Sequence, residues 1–378
     1  MGSPSLSRVI KYIGSKRRLV PRIVGLVQAI PGARTVLDLF TGTTRVAQGL
    51  KAAGFEVTAN DLATYSEVLA GTYIATDARA VDRVGLSALI AELNALPGER
   101  GYFTRTFCEE ARYLQPKNGM RVDAIRAHLE TLSVDATMRG ILLTALLEAA
   151  DRVDSTTGLQ MAYLKGWSTR SHRDLQLRLP VLLDGPGHAL RGDARAILGQ
   201  VDAFHVETFD VAYLDPPYNQ HSYYNNYHVW ETLVRGDAPP SYGIARKRED
   251  CRTTRSAFNS RPNSWPALRD VVERVPARHV VVSFSDEGFF EIESIRGLLR
   301  ERFGEVAAVP VVSKRYVGAK IGIHDLQGAL VGEVGHLLNT EWLFVAGPDA
   351  AAIVRAAEAA RMSSLESVPD LAMETGVA

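Results

Sequence analysis

The chain has 378 residues, 46% hydrophobic and 23% charged, and its 43 Lys and Arg balance 43 Asp and Glu to a formal net charge of zero. This excludes a disordered or collagen-like chain and leaves room for one catalytic domain with one sizeable insertion. Two cysteines, Cys108 and Cys251, are too few for a stapled secreted fold or a thiolate zinc site, and no long uncharged apolar run offers a membrane span.

Taken in chain order, Thr35 to Phe40 (TVLDLF) is a short apolar run of strand formers that breaks into Thr41-Gly42-Thr43-Thr44 before a helix-like Arg45 to Ala53. Gly54 ends that helix, and Glu56 to Asp61 (EVTAND) reads as a second strand finishing in an acid. From about 64 to 190 the periodicity is helical, clearest over Leu86 to Leu96 and Val134 to Ala150, with few strand candidates. The polar stretch Asp151 to Pro180 interleaves Lys165, Arg170 and Arg173 with Trp167 and His172, a mixture suited to a nucleic-acid surface. Val211 to Asp215 is a strand stopped by Pro216 and Pro217, His279 to Ser285 is another, and Phe290 to Arg302 follows as a helix. The glycines from Gly318 to Gly335 read as hairpin turns, and an amphipathic helix starts near Asp349 before a polar tail.

Alternating strands and helices predict an α/β fold with a doubly wound, mostly parallel sheet. The expected division is a catalytic domain over 8–63 and 188–346, an inserted, mainly helical target-recognition subdomain over 64–187, and a C-terminal helix and tail over 347–378. The compartment expected is the cytoplasm, with no membrane partner and a monomer favoured, although nothing in the residues fixes the oligomeric state.

Zero net charge counts against duplex binding, because DNA is held by Lys and Arg that neutralise phosphates. Local runs answer that objection. Lys11, Lys16, Arg17, Arg18 and Arg22 are met by no acid before Arg34, and Arg246, Lys247, Arg248, Arg252, Arg255 and Arg261 face only Glu249 and Asp250. The second run is expected to be a DNA-facing loop in which Arg248, Arg252 and Arg255 touch phosphates; each run also suits plain solvated surface.

The turn after the first strand sits where doubly wound sheets bind nucleotides, and Asp61 at the end of the next strand is placed to accept hydrogen bonds from ribose hydroxyls. The glycines are not spaced as in a dinucleotide fingerprint. Asp215-Pro216-Pro217-Tyr218 suits a flat, amino-bearing base. A carboxylate and the Pro216 carbonyl accept both amine hydrogens and free the nitrogen lone pair, while Tyr218 stacks on a base taken out of the duplex. His172, His221 and His228 lack metal-ligand spacing, so no metal is expected; Cys251 is read as a bystander and Trp230 as core.

With these motifs in order, the chain resembles the Dam-type, alpha-group family of DNA adenine-N6 methyltransferases. Lys11-Tyr12-Ile13-Gly14-Ser15-Lys16 resembles the N-terminal cofactor motif, Asp38 to Thr44 (with Phe40, Gly42 and Thr43) the glycine loop, Asp61 the ribose acid, Gly192-Asp193 the acid near the cofactor adenine, and Asp215 to Tyr218 the catalytic motif. The resemblance covers most of 9–346. It implies S-adenosylmethionine as cofactor, held by Tyr12, Gly14, Lys16, Asp38, Phe40, Gly42, Thr43, Thr44, Asp61, Asp193 and Asp215. It also implies double-stranded DNA as substrate, and a cognate restriction endonuclease or an orphan modification role. Where the family often has a second loop glycine this chain has Thr44. An RNA adenine-N6 methyltransferase and a non-catalytic DNA-binding protein on the same fold stay open as alternatives.

Overall fold

The computed structural model describes residues 10–12, 14, 16–161, 163–164, 166–314, 323–324, 330–332 and 338–366. Its centre is a seven-stranded sheet. In chain order the strands are β1 (Thr35–Asp38), β2 (Glu56–Asp61), β3 (Gly187–Arg191), β4 (Phe209–Leu214), β5 (Ala277–Ser285), β6 (Val306–Lys314) and β7 (Leu338–Ala346). In space they run β3-β2-β1-β4-β5-β7-β6. The first five are parallel, whereas β7 is antiparallel to both neighbours, pairing Glu341 with Ser285 and Val311. The expected mostly parallel, doubly wound sheet is therefore present.

Side chains alternate between two cores because strand residues point to opposite faces in turn. Val36, Val211, Tyr213 and Val281 enter one cluster; Leu37, Ala212, Leu214, Val280 and Val282 enter the other. On the first face lie α1 (Val20–Gln28), α2 (Arg45–Ala52), α3 (Thr64–Ala70), α4 (Arg83–Ala95), α5 (Pro116–Thr131) and α6 (Ala136–Arg152). The second face is covered by α7 (Ala194–Ile197) and later by α10 (Arg261–Arg274) and α11 (Ile292–Phe303). Between them α8 (Tyr223–Asn226) and α9 (His228–Arg235) return to the first face, where α12 (Ala350–Glu366) also packs, against α1.

The helices between β2 and β3 do not enclose a separate core. α3 packs on β2 and β3, and Leu86, Phe107, Ile125 and Ile141 join the same cluster as Val36 and Val57. The sheet edge itself, β3, stands where helical periodicity predicted few strands. Its five residues are all partly exposed or exposed, so no buried run announced it.

The stretch expected as a DNA-facing loop is instead structured. Ser241–Tyr242 pairs antiparallel with Lys247–Arg248, and short 3-10 turns follow at Glu249–Arg252 and Ala257–Asn259. Lys165 lies outside the described residues. Of the hairpin expected over 318–335, the antiparallel pair Ile323–His324 with Leu330–Gly332 is described. Trp230, read as core, is buried, as are both cysteines, which are free.

Candidate active site

The strand order reverses between β1 and β4, and their carboxyl ends, paired at Asp38 and Tyr213, open a crevice there. Into it come residues from three distant parts of the chain. Tyr12, Gly14, Lys16, Asp38, Phe40, Gly42, Thr43, Asp61, Asp193, Asp215 and Pro217 all line one pocket. Of the residues predicted for the cofactor, Thr44 alone is not in the wall. Pro216 and Tyr218 also stand outside it; Tyr218 packs edge-on against Phe284 with ring centroids 5.8 Å apart.

Thr44 explains its own position. It is fully buried with φ of 61°, the left-handed conformation for which a glycine is the ordinary choice. Its hydroxyl donates to the Thr43 carbonyl at 2.6 Å and accepts from Gln48 Nε2 at 2.8 Å. Threonine thus follows the backbone path of a glycine and leaves the loop open to the pocket. At Gly42, φ of 52° calls for glycine, and the Tyr12 ring lies at contact distance, 3.4 Å from where a Cβ would be.

Burial raises the pKa of three of these acids, Asp38, Asp61 and Asp215. Asp61 Oδ2 accepts from Gly42 N at 2.8 Å and its Oδ1 from Ala63 N at 3.1 Å, yet burial outweighs these bonds and raises its pKa. Burial pushes Asp38 up to about 7; its Oδ2 accepts from Thr41 Oγ1 at 2.9 Å, while its buried Oδ1 has no partner. The Oδ1 of Asn60 is likewise buried and unpaired, in the same wall. Unpaired buried acceptors are rare because each costs about 1–3 kcal/mol, so a donor-bearing ligand is what such atoms fit. Asp193 lies across the pocket at the N-terminus of α7, its Oδ1 accepting from Arg195 N at 3.0 Å.

Asp215 follows the end of β4. Lys16 Nζ sits 3.1 Å from its Oδ1 and is also bonded to Glu341 of β7, which accepts from Ser283 Oγ at 2.7 Å. Burial opposes charge on Lys16, but the two carboxylates outweigh it and raise the ammonium's pKa well above the ordinary value. Burial pushes Asp215 up to about 6, with Lys16 restraining the rise.

Sequence reasoning missed Glu341, whose one signal was an acid amid the apolar strand LNTEWLFVA. It also missed a tyrosine stack. Tyr12 lies against Tyr223 and Tyr227, with ring centroids 5.1 Å and 4.5 Å away, and its hydroxyl is 3.3 Å from that of Tyr65. The cluster Tyr223-Tyr224-Asn225-Asn226-Tyr227 carried that signal.

Of the residues predicted to touch DNA, Arg248 is a correction. It is buried, and its guanidinium bonds Asp237 at 2.6 Å, Asp250 at 2.9 Å and the Thr232 hydroxyl at 3.0 Å, so no phosphate reaches it. Arg170 is bonded to Asp154 at 2.6 Å and to the Thr156 carbonyl, with about a third of its side chain exposed. Arg173 is exposed. Arg252 lies over the Tyr242 ring at 3.9 Å and with Arg255 lines a second groove, which shares Ser222, Thr254, Ser256 and Asn259 with the first pocket. Burial pushes Cys251 up to about 12, consistent with an inert thiol.

Comparison with known proteins adds the chain's kinship. It is 30% identical over 309 residues to "Modification methylase StsI" of Streptococcus sanguinis, covering 77% of this chain and 46% of that one. To "Type II methyltransferase M.NlaIII" of Neisseria lactamica it is 28% identical over 345 residues, 87% of this chain and 99% of that one. To "Type II methyltransferase M.FokI" of Planomicrobium okeanokoites it is 27% identical over 316 residues, 77% and 47%. The chain thus spans about half of the StsI and FokI enzymes and nearly all of the NlaIII enzyme. A solved methyltransferase of Agrobacterium tumefaciens aligns over 88% of this chain and 62% of its own, at 13% identity and a TM-score of 0.35. The family of D12 class N6 adenine-specific DNA methyltransferases matches residues 12–296, and to that family this chain belongs.

Proposed function

We propose that the protein transfers the methyl group of S-adenosylmethionine to the exocyclic N6 of an adenine extruded from double-stranded DNA, as a Dam-type, alpha-group member acting at one recognition sequence. One observation carries this reading: Asp215 faces the same pocket as Asp38 and Asp61 with one oxygen tied to Lys16 and the other free to accept. S-adenosylmethionine supplies a methyl on a sulfonium, an electrophile that needs no metal. The protein's residues do the rest. The unpaired Asp38 Oδ1 fits the cofactor's ammonium, Asp61 its ribose hydroxyls and Asp193 the region of its adenine, while Phe40, Gly42, Thr43 and Tyr12 shape the wall.

Asp215 and the Pro216 carbonyl accept the two amine hydrogens of the target adenine, which turns the nitrogen lone pair out of the ring plane. The methylated nitrogen is acidic and loses its proton without a strong base. Tyr218 stacks on the extruded base; its pKa, pushed up to about 12 by burial, keeps the ring neutral. The groove lined by Arg252 and Arg255 leads into the pocket and offers cations to the backbone, with Arg173 and Lys165 as further contacts. The helices of 64–187 serve target recognition. DNA as substrate follows the family rather than the RNA alternative, and the type II relatives suggest a modification role, with a cognate endonuclease or without one. A monomer in the cytoplasm completes the reading, and it suits the two free cysteines.

Single-turnover transfer of labelled methyl into DNA, with sequencing that detects modified bases, tests it. Asp215→Ala should lose roughly 10²-fold or more in rate with cofactor affinity little changed. Full activity in that variant overturns the mechanism.

A further inference from the structure

Away from the pocket, at the opposite end of the same strands, Glu56, His188 and His205 converge. Glu56 opens β2, and His188 of β3 pairs across with Thr58 two residues further along, so Glu56, Thr58 and His188 share one face of the sheet edge. His205 arrives from the connection before β4. Its ring stacks on that of His188 with centroids 3.8 Å apart and planes 21° from parallel. Both Nε2 atoms approach one carboxylate oxygen, His188 at 3.2 Å and His205 at 3.3 Å from Glu56 Oε1. Among the described residues this is the only trio of His, Cys, Asp or Glu whose ligand atoms all lie within 4.8 Å of one another.

We propose that Glu56, His188 and His205 form a binding site for a divalent transition metal, zinc being the best fit, that clasps the 201–208 connection to the sheet edge. Three features support it. Ligand atoms about 2.0–2.1 Å from a tetrahedral zinc stand about 3.3 Å apart, and the two nitrogen-to-oxygen separations match that edge, while the stacked imidazoles must rotate out of parallel for both Nε2 lone pairs to meet on one ion. His205 Nδ1 is 3.3 Å from the buried Thr58 hydroxyl, which accepts from Nδ1–H in the tautomer that leaves Nε2 free to ligate. All three side chains keep partial exposure, which gives an entry path and a fourth position for water.

The site stands apart from the methyl-transfer chemistry. Glu56 precedes Asp61 by five residues along β2, a rise of roughly 16 Å. The metal's work is therefore structural: it binds the folded edge and stabilises it by mass action.

The test uses the full, untagged chain stripped with a chelator and then dialysed against zinc chloride. The wild type should take up one equivalent of zinc, and cobalt at the same site should show the visible absorption of tetrahedral coordination. His188→Ala and His205→Ala should each weaken uptake by at least about tenfold, and Thr58→Val by a smaller factor, while methyl transfer and cofactor binding stay at wild-type levels and report that the variants fold. Zinc should raise the melting temperature of the wild type and leave both histidine variants unmoved. No zinc uptake by the wild type, or uptake that the histidine variants leave unchanged, overturns the proposal. Neither outcome bears on the methyltransferase reading, which the separate transfer assay decides.

Discussion

Lys16→Met and Glu341→Gln should move the acid limb of the methyl-transfer rate in opposite directions. Asp215 accepts an amine hydrogen only as a carboxylate, so in the wild type the rate should fall as pH drops through about 6, the value to which burial raises it. The Lys16 ammonium stands 3.1 Å from Asp215 Oδ1. At that distance two unit charges attract by about 1.3 kcal/mol in a water-like medium and about 5 kcal/mol at an effective dielectric near 20. The exposed fifth of the Asp215 side chain places the site between these limits. One pH unit corresponds to about 1.4 kcal/mol, so removing the lysine should carry the limb up by at least about one unit. At pH 7 the smallest displacement leaves Asp215 about half protonated, and a larger one suppresses the rate further. Glu341 acts on Asp215 as a like charge that raises its pKa, so Glu341→Gln should carry the limb down. Single-turnover rates from pH 5 to about 9, at saturating cofactor and DNA, measure both. If the limb stays near 6 in both variants, the charge on Asp215 does not govern the reaction and the reasoning fails.

Asp38, raised to about 7 with an unpaired Oδ1, should give up a proton when an ammonium docks there, so cofactor affinity should strengthen as pH rises through about 7. Calorimetry in buffers of different ionisation heat reads the released proton, and Asp38→Asn should abolish it. Arg248→Ala should destabilise the fold by about 3 kcal/mol, the low end for a broken buried pair because Asp237 and Asp250 each keep about a third of their exposure. Denaturant unfolding checks this. The salt dependence of DNA binding should not respond to that variant, while Arg252→Ala with Arg255→Ala should flatten it by about one to two phosphates. Thr44→Gly should relieve about 1–2 kcal/mol of left-handed strain and lose the hydroxyl's two bonds, leaving stability within about 1 kcal/mol of the wild type; a loss well above that would show the hydroxyl to be the stronger term.

The sequence by itself determined what is local. Short runs of strand formers at Thr35 to Asp38 and Glu56 to Asp61, bounded by turn residues, specify strands, and Asp215-Pro216-Pro217-Tyr218 specifies a strand end, because proline removes the donors a sheet needs. From those local signals came the sheet, the pocket and most of its wall. Only the tertiary structure decided what depends on partners far along the chain. Glu341 meets Lys16 across 325 residues, and no pattern near either announces the pair. Arg248 read as surface because an arginine is costly to bury alone; Asp237 and Asp250, brought in by the fold, remove that cost. β3 escaped notice because an edge strand with partly exposed residues carries no buried run. Glu56, His188 and His205, like Lys16 and Glu341, meet only in the fold. Strand register sets Glu56 and His188 on one face of the sheet edge, and the path of the chain outside the strands brings His205 and Lys16 to partners that the sequence keeps far away.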